Sequence, residues 1–160
     1  MGPGLSAEEH RAWTALRTTY ALLHQRLDHQ LKRDAGLSHL QYEILARLAA
    51  VPERELRMAS LACAVGNSKS GLTYQVGQLE QAGLVTRRTC ESDVRAVWAV
   101  LTEAGAARLA GAEPGHVGLV RSLLVDVLTP EQLAVLADGL GEVNRRMQVD
   151  DQGGGAVGCG

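Results

Sequence analysis

The sequence LACAVGNSKSGLTYQV, residues 61–76, has the spacing of two short helices joined by a tight turn. Ala62 is small enough for two helices to cross closely, and Gly66 stands four residues later, where the turn needs an unusual backbone angle. Leu72, six residues further on, would hold the second helix against the first. Short matches of this kind also arise by chance on solvated helix faces, so the interpretation depends on the neighbouring sequence.

A β-hairpin follows these two helices. Residues 84–89 and 96–101 consist largely of β-favouring residues, and the polar residues 91–93 lie between them. A further amphipathic helix precedes the pair, beginning at the capping box Ser38-His-Leu-Gln41. This order predicts a mostly α fold with a small β-hairpin wing, namely a winged helix-turn-helix over residues 38–102.

Amphipathic helices flank the winged domain on both sides. Residues 1–37 contain the capping box Ser6-Ala-Glu-Glu9 and then one long apolar stripe, and residues 103–148 end in a second stripe that starts after Thr129. Such narrow stripes predict N- and C-terminal dimerisation helices. The first stripe comprises Trp13, Leu16, Tyr20, Leu23, Leu27 and Leu31, and the second comprises Leu133, Leu136, Leu140, Val143 and Met147.

Two irregular segments are expected in the C-terminal part. Thr102 is predicted to cap a helix that breaks or kinks near Gly111, Pro114 and Gly115, since proline removes a helical hydrogen bond. Residues 149–160 are predicted to form a disordered Gly-rich tail.

Composition limits the class of protein and its location. The chain has 160 residues, a net charge of −2 and a hydrophobic content of 46%, which fits one globular domain with helical extensions. No apolar run reaches the roughly 18 residues of a membrane helix. The N-terminus lacks the order of a secretory signal, so a cytoplasmic protein is expected. Residues 54–95 carry six basic against four acidic side chains, hence +2, which leaves −4 for the rest.

Candidate nucleic-acid contacts lie at the start of the second helix and in the wing. The first residues of such a helix reach base edges, where Gln75 can pair with adenine and Lys69 with guanine or a phosphate. Arginines of a wing favour the negative minor groove, and Asp93 could brace Arg95 by a charged hydrogen bond. The alternatives are a solvated helix face and a surface ion pair. The candidates are Ser68, Lys69, Ser70, Thr73, Tyr74, Gln75, Arg87, Arg88, Asp93 and Arg95.

Three motifs give the chain a family resemblance. Residues 79–87 read LEQAGLVTR, residues 93–95 read DVR, and residues 101–105 read LTEAG. In order and spacing they resemble the LE-x-x-GLV-x-R, D-x-R and LT-x-x-G pattern of the MarR family of bacterial transcriptional regulators. The resemblance implies a homodimer that binds a palindromic double-stranded operator, often as a repressor, and is released by a small phenolic or other effector. Tyr74 and Gly77-Gln78 depart from it, since many relatives carry Arg and Asp-Arg there.

The same resemblance implies an effector cleft between the first helix, the second helix and the winged domain. Aromatic and histidine side chains on those two helices could line it by stacking and hydrogen bonding. The alternative for each of them is ordinary core or dimer packing. The candidates are Trp13, Tyr20, His24, His39 and Tyr42.

Other modes of action stay open at this stage. His24 and Asp28 share a helix face and could form one edge of a metal site, but no paired-ligand motif accompanies them, so neither metal nor cofactor is expected. Cys90 lies near the arginines of the wing and could sense an oxidant. A dimeric interaction module without strong DNA binding is a further alternative.

The remaining cysteines and the missing catalytic motifs allow two more predictions. Three cysteines without CxxC spacing predict no disulfide framework, and Cys63 is expected to be a buried apolar side chain. No nucleophile elbow, phosphate loop or acid–base carboxylate pair is present, so the chain is not expected to be an enzyme.

Overall fold

The computed structural model describes residues 4–90 and 93–153, with side chains for residues 4–89 and 96–148. Six α-helices, three strands and one 3₁₀ turn follow one another along the chain. They are α1 (Ala7–Ala35), α2 (His39–Ala49), β1 (Glu55–Arg57), α3 (Met58–Ala64), α4 (Lys69–Gln81), β2 (Val85–Cys90), β3 (Asp93–Leu101), α5 (Glu103–Leu123), the 3₁₀ turn (Val125–Val127) and α6 (Pro130–Gly153).

The core lies between α2, α3, α4 and the sheet. Leu45, Leu61, Leu72 and Val76 are among its fully buried side chains, which confirms the apolar faces predicted for these helices. Full burial of each aliphatic side chain stabilises the fold by about 1.5–3 kcal/mol. Gly66 adopts a left-handed backbone (φ 62°) in the turn between α3 and α4, as its position predicts.

Reciprocal hydrogen bonds fix the starts of α1 and α2. The Ser6 amide donates to the Glu9 carboxylate at 2.7 Å, and the Glu9 amide donates back to the Ser6 hydroxyl. Ser38 and Gln41 repeat the arrangement at α2. Both predicted capping boxes are therefore confirmed.

The wing belongs to a three-stranded antiparallel sheet of order β1-β3-β2. The predicted hairpin of β2 and β3 is confirmed, but β1 was not predicted. Leu56 of β1 pairs with Ala99 of β3, and α3 begins only at Met58. A three-residue strand leaves no recognisable alternation in the sequence, so only pairing with β3 defines it.

The LT-x-x-G motif joins the end of β3 to the turn after α4. The Thr102 hydroxyl donates to the Gly83 carbonyl at 2.7 Å, and the Thr102 amide donates to the Leu84 carbonyl. The same hydroxyl accepts from the Gly105 amide, which caps α5 as predicted. A β-carbon on Gly105 would lie 2.1 Å from the Leu84 carbonyl oxygen, so this close approach requires glycine.

A break in α5 is wrong, because one helix runs from Glu103 to Leu123 with Pro114 inside it, and the alternative of a kink at this place stays a prediction. Ala112 is buried against α1 and α2, and Gly115 lets Gln30 of α1 approach closely. Packing against two helices outweighs the cost of about 3 kcal/mol that a proline imposes within a helix.

The terminal helices leave much apolar surface uncovered. The stripe of α1 is buried at Leu27 and Leu31 but exposed at Trp13, Leu16 and Tyr20. Helix α6 makes few contacts with the other described elements and continues to Gly153, five residues into the segment predicted as a tail. Residues 154–160 lie outside the described part. No helix within that part has the length and apolar character needed to cross a membrane.

Candidate functional site

Side-chain hydrogen bonds cap the start of α4. The Ser68 hydroxyl accepts from the Gly71 amide at 3.1 Å, and the Asn67 side chain accepts from the Ser68 amide. A β-carbon on Gly71 would lie 2.7 Å from the Asn67 side-chain oxygen. A larger residue there would displace the Asn67 side chain from its hydrogen bond with the Ser68 amide, so glycine favours this cap although it lowers helix propensity.

The exposed side chains of α4 form a polar face in its first two turns. Lys69, Ser70, Thr73 and Tyr74 are exposed, Tyr74 by 64%, and Gln75 is half-buried. The Thr73 hydroxyl donates to the Lys69 carbonyl at 2.8 Å, so its proton is already used within the helix. Six of the ten predicted DNA contacts, Ser68, Lys69, Ser70, Thr73, Tyr74 and Gln75, thus lie together at one end of one helix.

Arg87 lies at the other end of α4. Its guanidinium donates to the Glu80 carboxylate through Nε at 2.8 Å and Nη2 at 2.5 Å, and its amide donates to the same carboxylate. These bonds lower the pKa of Glu80. Glu80 follows Lys69 by eleven residues, so Arg87 lies roughly 16 Å from the start of the helix.

Arg88 occupies the outer face of the sheet. Its guanidinium forms an ion pair with Glu55, whose pKa it lowers, and lies 5.1 Å from the centre of the Trp98 ring. Arg57 approaches the same ring at 5.3 Å. The register places the three residues side by side across β1, β3 and β2. The indole is therefore flanked by two guanidinium groups on neighbouring strands.

Three wing predictions lie outside the described side chains. Cys90, Asp93 and Arg95 belong to β2 and β3 by their backbone, with Cys90 opposite Asp93 in the register. The proposed bracing of Arg95 by Asp93 and the oxidant-sensitive role of Cys90 remain predictions.

Two groups of residues in this region were not predicted from the sequence. They are the acidic partners of Arg87 and Arg88, and the exposed residues Gln78 and Arg57. Glu80 faces Arg87 because α4 and β2 run side by side across the Gly83 turn, and the seven-residue spacing carries no signal of this contact. Gln78 is exposed one turn beyond Tyr74, a position that i, i+4 spacing could have identified. The place of Arg57 beside Trp98 depends on β1, which was itself missed.

Four of the five effector-site candidates meet in one chain of ring contacts. The His24 and His39 rings are 4.9 Å apart between centres, and Tyr20 lies 5.9 Å from His24. His116 of α5 lies between His39 and Tyr42, and its ring centre is 6.0 Å from that of His39 and 4.3 Å from that of Tyr42. Trp13 is not among these contacts; it is exposed on α1, about two turns before Tyr20.

Burial changes the acid–base properties of this cluster. Burial lowers the pKa of both His39 and His116, although nearby carboxylates oppose the shift, and burial raises the pKa of the Tyr42 phenol. At neutral pH the two imidazoles and the phenol are therefore uncharged. Such a surface offers aromatic faces and uncharged hydrogen-bonding groups to a ligand.

The geometry does not assemble a metal site among the described residues. No three of their His, Cys, Asp and Glu side chains are arranged to hold an ion. The predictions for Cys63 are wrong: its side chain is exposed on α3, and it is disulfide-bonded. Leu61 and Ala62 occupy the buried face of that short helix instead.

Comparisons with known proteins agree with the fold and with the motifs. The MarR family profile matches residues 37–97. Sco3205 of Streptomyces coelicolor, a MarR family regulator solved in complex with DNA, is 40% identical, with a TM-score of 0.85 over 90% of this chain and 94% of that one. AbsC of the same organism, also a MarR family regulator, is 36% identical, with a TM-score of 0.84 over 92% of this chain and 99% of that one.

A further relative comes from a second bacterium. The uncharacterized HTH-type transcriptional regulator YfiV of Bacillus subtilis (strain 168) is 34% identical over 94 residues, and the chain spans 58% of its length. The family consists of transcriptional regulators, not enzymes. The fold agrees with these matches in its helix-turn-helix, its three-stranded wing sheet and its contacting terminal helices. The chain therefore belongs to the MarR family of winged-helix transcriptional regulators.

Proposed function

We propose that this chain is a cytoplasmic, homodimeric regulator that binds a palindromic DNA operator through α4 and represses transcription. The observation that carries the proposal is the exposed polar face at the capped start of α4, from Ser68 to Gln75. Side chains at this position of a helix-turn-helix enter the major groove. The DNA complex of the 40% identical Sco3205 supports the same mode of binding here.

The uncovered apolar surface of the terminal helices supports a dimer. Val135 is 73% exposed on α6, and a shallow apolar groove runs along the same helix beside Leu128 and Leu136. Exposed apolar surface of this extent on two helices is costly in water unless a partner covers it. A second copy of the chain, with its own α1 and α6, is the occupant that a palindromic operator requires.

The dimer can be tested by one charge placed in this surface. Val135→Glu should convert the dimer to a monomer in sedimentation or light scattering, whereas Ala49→Glu, at an exposed position at the end of α2, should leave it dimeric. A wild-type chain that is monomeric at micromolar concentration would overturn the proposal.

The ring cluster supports a small aromatic effector. Tyr20 and His24 are exposed, whereas His39 and Tyr42 are more buried, so a planar ligand could enter along α1 and stack on inner rings. Trp13 lies further along the same face of the long helix. The probe is 4-hydroxybenzoate: if the proposal holds, it raises the melting temperature and lowers DNA affinity, and His39→Ala reduces both effects.

One observation favours a dimeric interaction module as the second candidate. Glu80 and Glu55 neutralise Arg87 and Arg88, which leaves the described part of the wing with little net positive charge. Titration of the purified chain against its own upstream DNA at low salt distinguishes the two. A regulator prefers that duplex to a scrambled one and loses affinity steeply as salt rises, whereas an interaction module shows no preference.

A further inference from the structure

Three histidines from three helices are in ring contact at the junction of α1, α2 and α5. His24, His39 and His116 follow one another with ring centres 4.9 and 6.0 Å apart. We call these three residues the histidine cluster. Tyr42 closes one end of the cluster, 4.3 Å from His116. A proton added to any of these imidazoles therefore places positive charge against neighbouring histidines.

Within the part of the chain that the structure describes, the buried end of the histidine cluster, at His116, lacks a hydrogen-bond acceptor for an added proton. His116 Nδ1 is buried, and it has no hydrogen-bond partner among the described residues. An imidazolium donates from both nitrogens, so protonation would leave one buried N–H unsatisfied. Burial accordingly lowers the pKa of His116 and of His39.

Charged groups from all three helices face the cluster. Glu43 of α2 lies 3.8 Å from His39 Nε2, and Glu113 of α5 acts on His116. Asp28 of α1 accepts the His39 amide at 3.0 Å and is itself paired with Lys32 at 2.7 Å. The carboxylates attract a proton to the cluster, but burial outweighs them, because the pKa of both inner histidines stays lowered.

The cluster lies where the DNA-binding domain meets the terminal helices. α2 is the first helix of the winged domain, while α1 and α5 lead into the uncovered apolar surfaces. In a dimer this junction sets the distance between the two copies of α4, which must match the spacing of the operator half-sites. A change at the junction would thus change operator affinity without touching a DNA contact.

We propose that protonation of His39 and His116 in the histidine cluster loosens the junction of α1, α2 and α5 and weakens operator binding as the pH falls below about 6.5. The inference rests on the proposed DNA-binding function and adds a regulatory input that needs no ligand. Each proton taken up by His39 or His116 changes the equilibrium between closed and loosened junctions by at most tenfold per pH unit, so the two together allow at most about 100-fold per pH unit.

The test measures operator affinity at pH 7.5 and pH 5.5, at constant ionic strength, in EDTA. Wild-type affinity should fall at least tenfold at pH 5.5. His116→Phe keeps a ring beside Tyr42 but cannot take a proton, and His39→Gln keeps a polar group near Glu43. Either variant should lose less than threefold in operator affinity between pH 7.5 and pH 5.5. His29→Asn, at an exposed histidine on α1 outside the cluster, should keep the full wild-type loss.

Each alternative result contradicts a definite part of the account. Equal wild-type affinity at both pH values overturns the inference, as does a loss that both cluster variants retain. If the wild type binds no duplex preferentially at pH 7.5, the proposed function has failed, and this inference with it. Should His116→Phe fail to fold by circular dichroism, His39→Gln alone decides the result.

Discussion

Glu80 binds the guanidinium of Arg87 at two nitrogens, 2.8 and 2.5 Å away, and also accepts the Arg87 amide. This arrangement fastens the last turns of α4 to β2 and neutralises an arginine that its place in the wing predicts as a DNA contact. Lys69, in contrast, is exposed in the first turn of the same helix. The two cations of one surface therefore differ in how much charge they offer to a phosphate.

Salt dependence should separate these two cations. Lys69→Gln is expected to reduce the slope of log affinity against log salt by about 0.9, the value for one lost phosphate contact. Arg87→Gln should reduce it by much less, because Glu80 already neutralises that charge. Lys32→Gln on α1 is the control and should leave the slope unchanged. An equal reduction by Lys69→Gln and Arg87→Gln would contradict this assignment.

Base readout should depend on Gln75. Its amide can form two hydrogen bonds with an adenine edge, a contact that discriminates by about 1–3 kcal/mol. Gln75→Ala should therefore relax the preference at a single base pair when affinities are compared over all single substitutions of the preferred duplex. Gln81→Ala, at the far end of α4, should leave the pattern intact. A uniform loss over all sequences for Gln75→Ala would argue against direct readout.

Two glycines of α5 should respond oppositely to alanine. A β-carbon at Gly105 would meet the Leu84 carbonyl at 2.1 Å, whereas one at Gly111 meets nothing within 4 Å. Gly105→Ala should lower the free energy of unfolding by about 1–3 kcal/mol through overpacking. Gly111→Ala should raise it by up to about 1 kcal/mol through helix propensity. Urea denaturation measures both changes. If Gly105→Ala left the free energy of unfolding unchanged, the backbone at Leu84 would have to move away at no cost.

The free energy of unfolding should decrease as the pH is lowered through the range in which histidines titrate. The pKa values of His39 and His116 are lowered in the folded chain, so the unfolded chain takes up protons first as the pH drops. Their contribution is complete above the ordinary pKa of about 6.5 and is lost below it, by at most about 1.4 kcal/mol per pH unit for each histidine. Urea denaturation between pH 7.5 and 5.5 should show this slope, and His116→Phe should flatten it. A wild type with no slope in this range would contradict the shifts.

Local sequence signals were sufficient for the helix starts and for most of the buried face. Ser6, Ser38 and Thr102 all cap the helices that they were predicted to cap. Such caps depend on residues within one turn of each other, which the sequence displays directly. In the same way, the burial of Leu72 can be predicted from the helical spacing of apolar residues alone.

Features that depend on distant partners were missed. β1 exists because Glu55 to Arg57 pair with β3, more than forty residues later, and α5 stays continuous through Pro114 because α1 and α2 pack against it. The ion pair of Arg88 with Glu55 follows from the same sheet. His116 was not among the effector-site candidates, although it connects His39 to Tyr42, because its helix joins the cluster only in the folded chain.

The central claim is that a dimer of this chain recognises a palindromic DNA sequence through α4. Selection of bound duplexes from a randomised library, with the full chain at pH 7.5, tests it most directly. A dimer that binds through α4 should enrich an inverted repeat whose half-sites are centred about 10 base pairs apart. The chain with Gln75→Ala should enrich a repeat changed at one position in each half-site. Enrichment of no sequence, or of a site without two-fold symmetry, would contradict the claim.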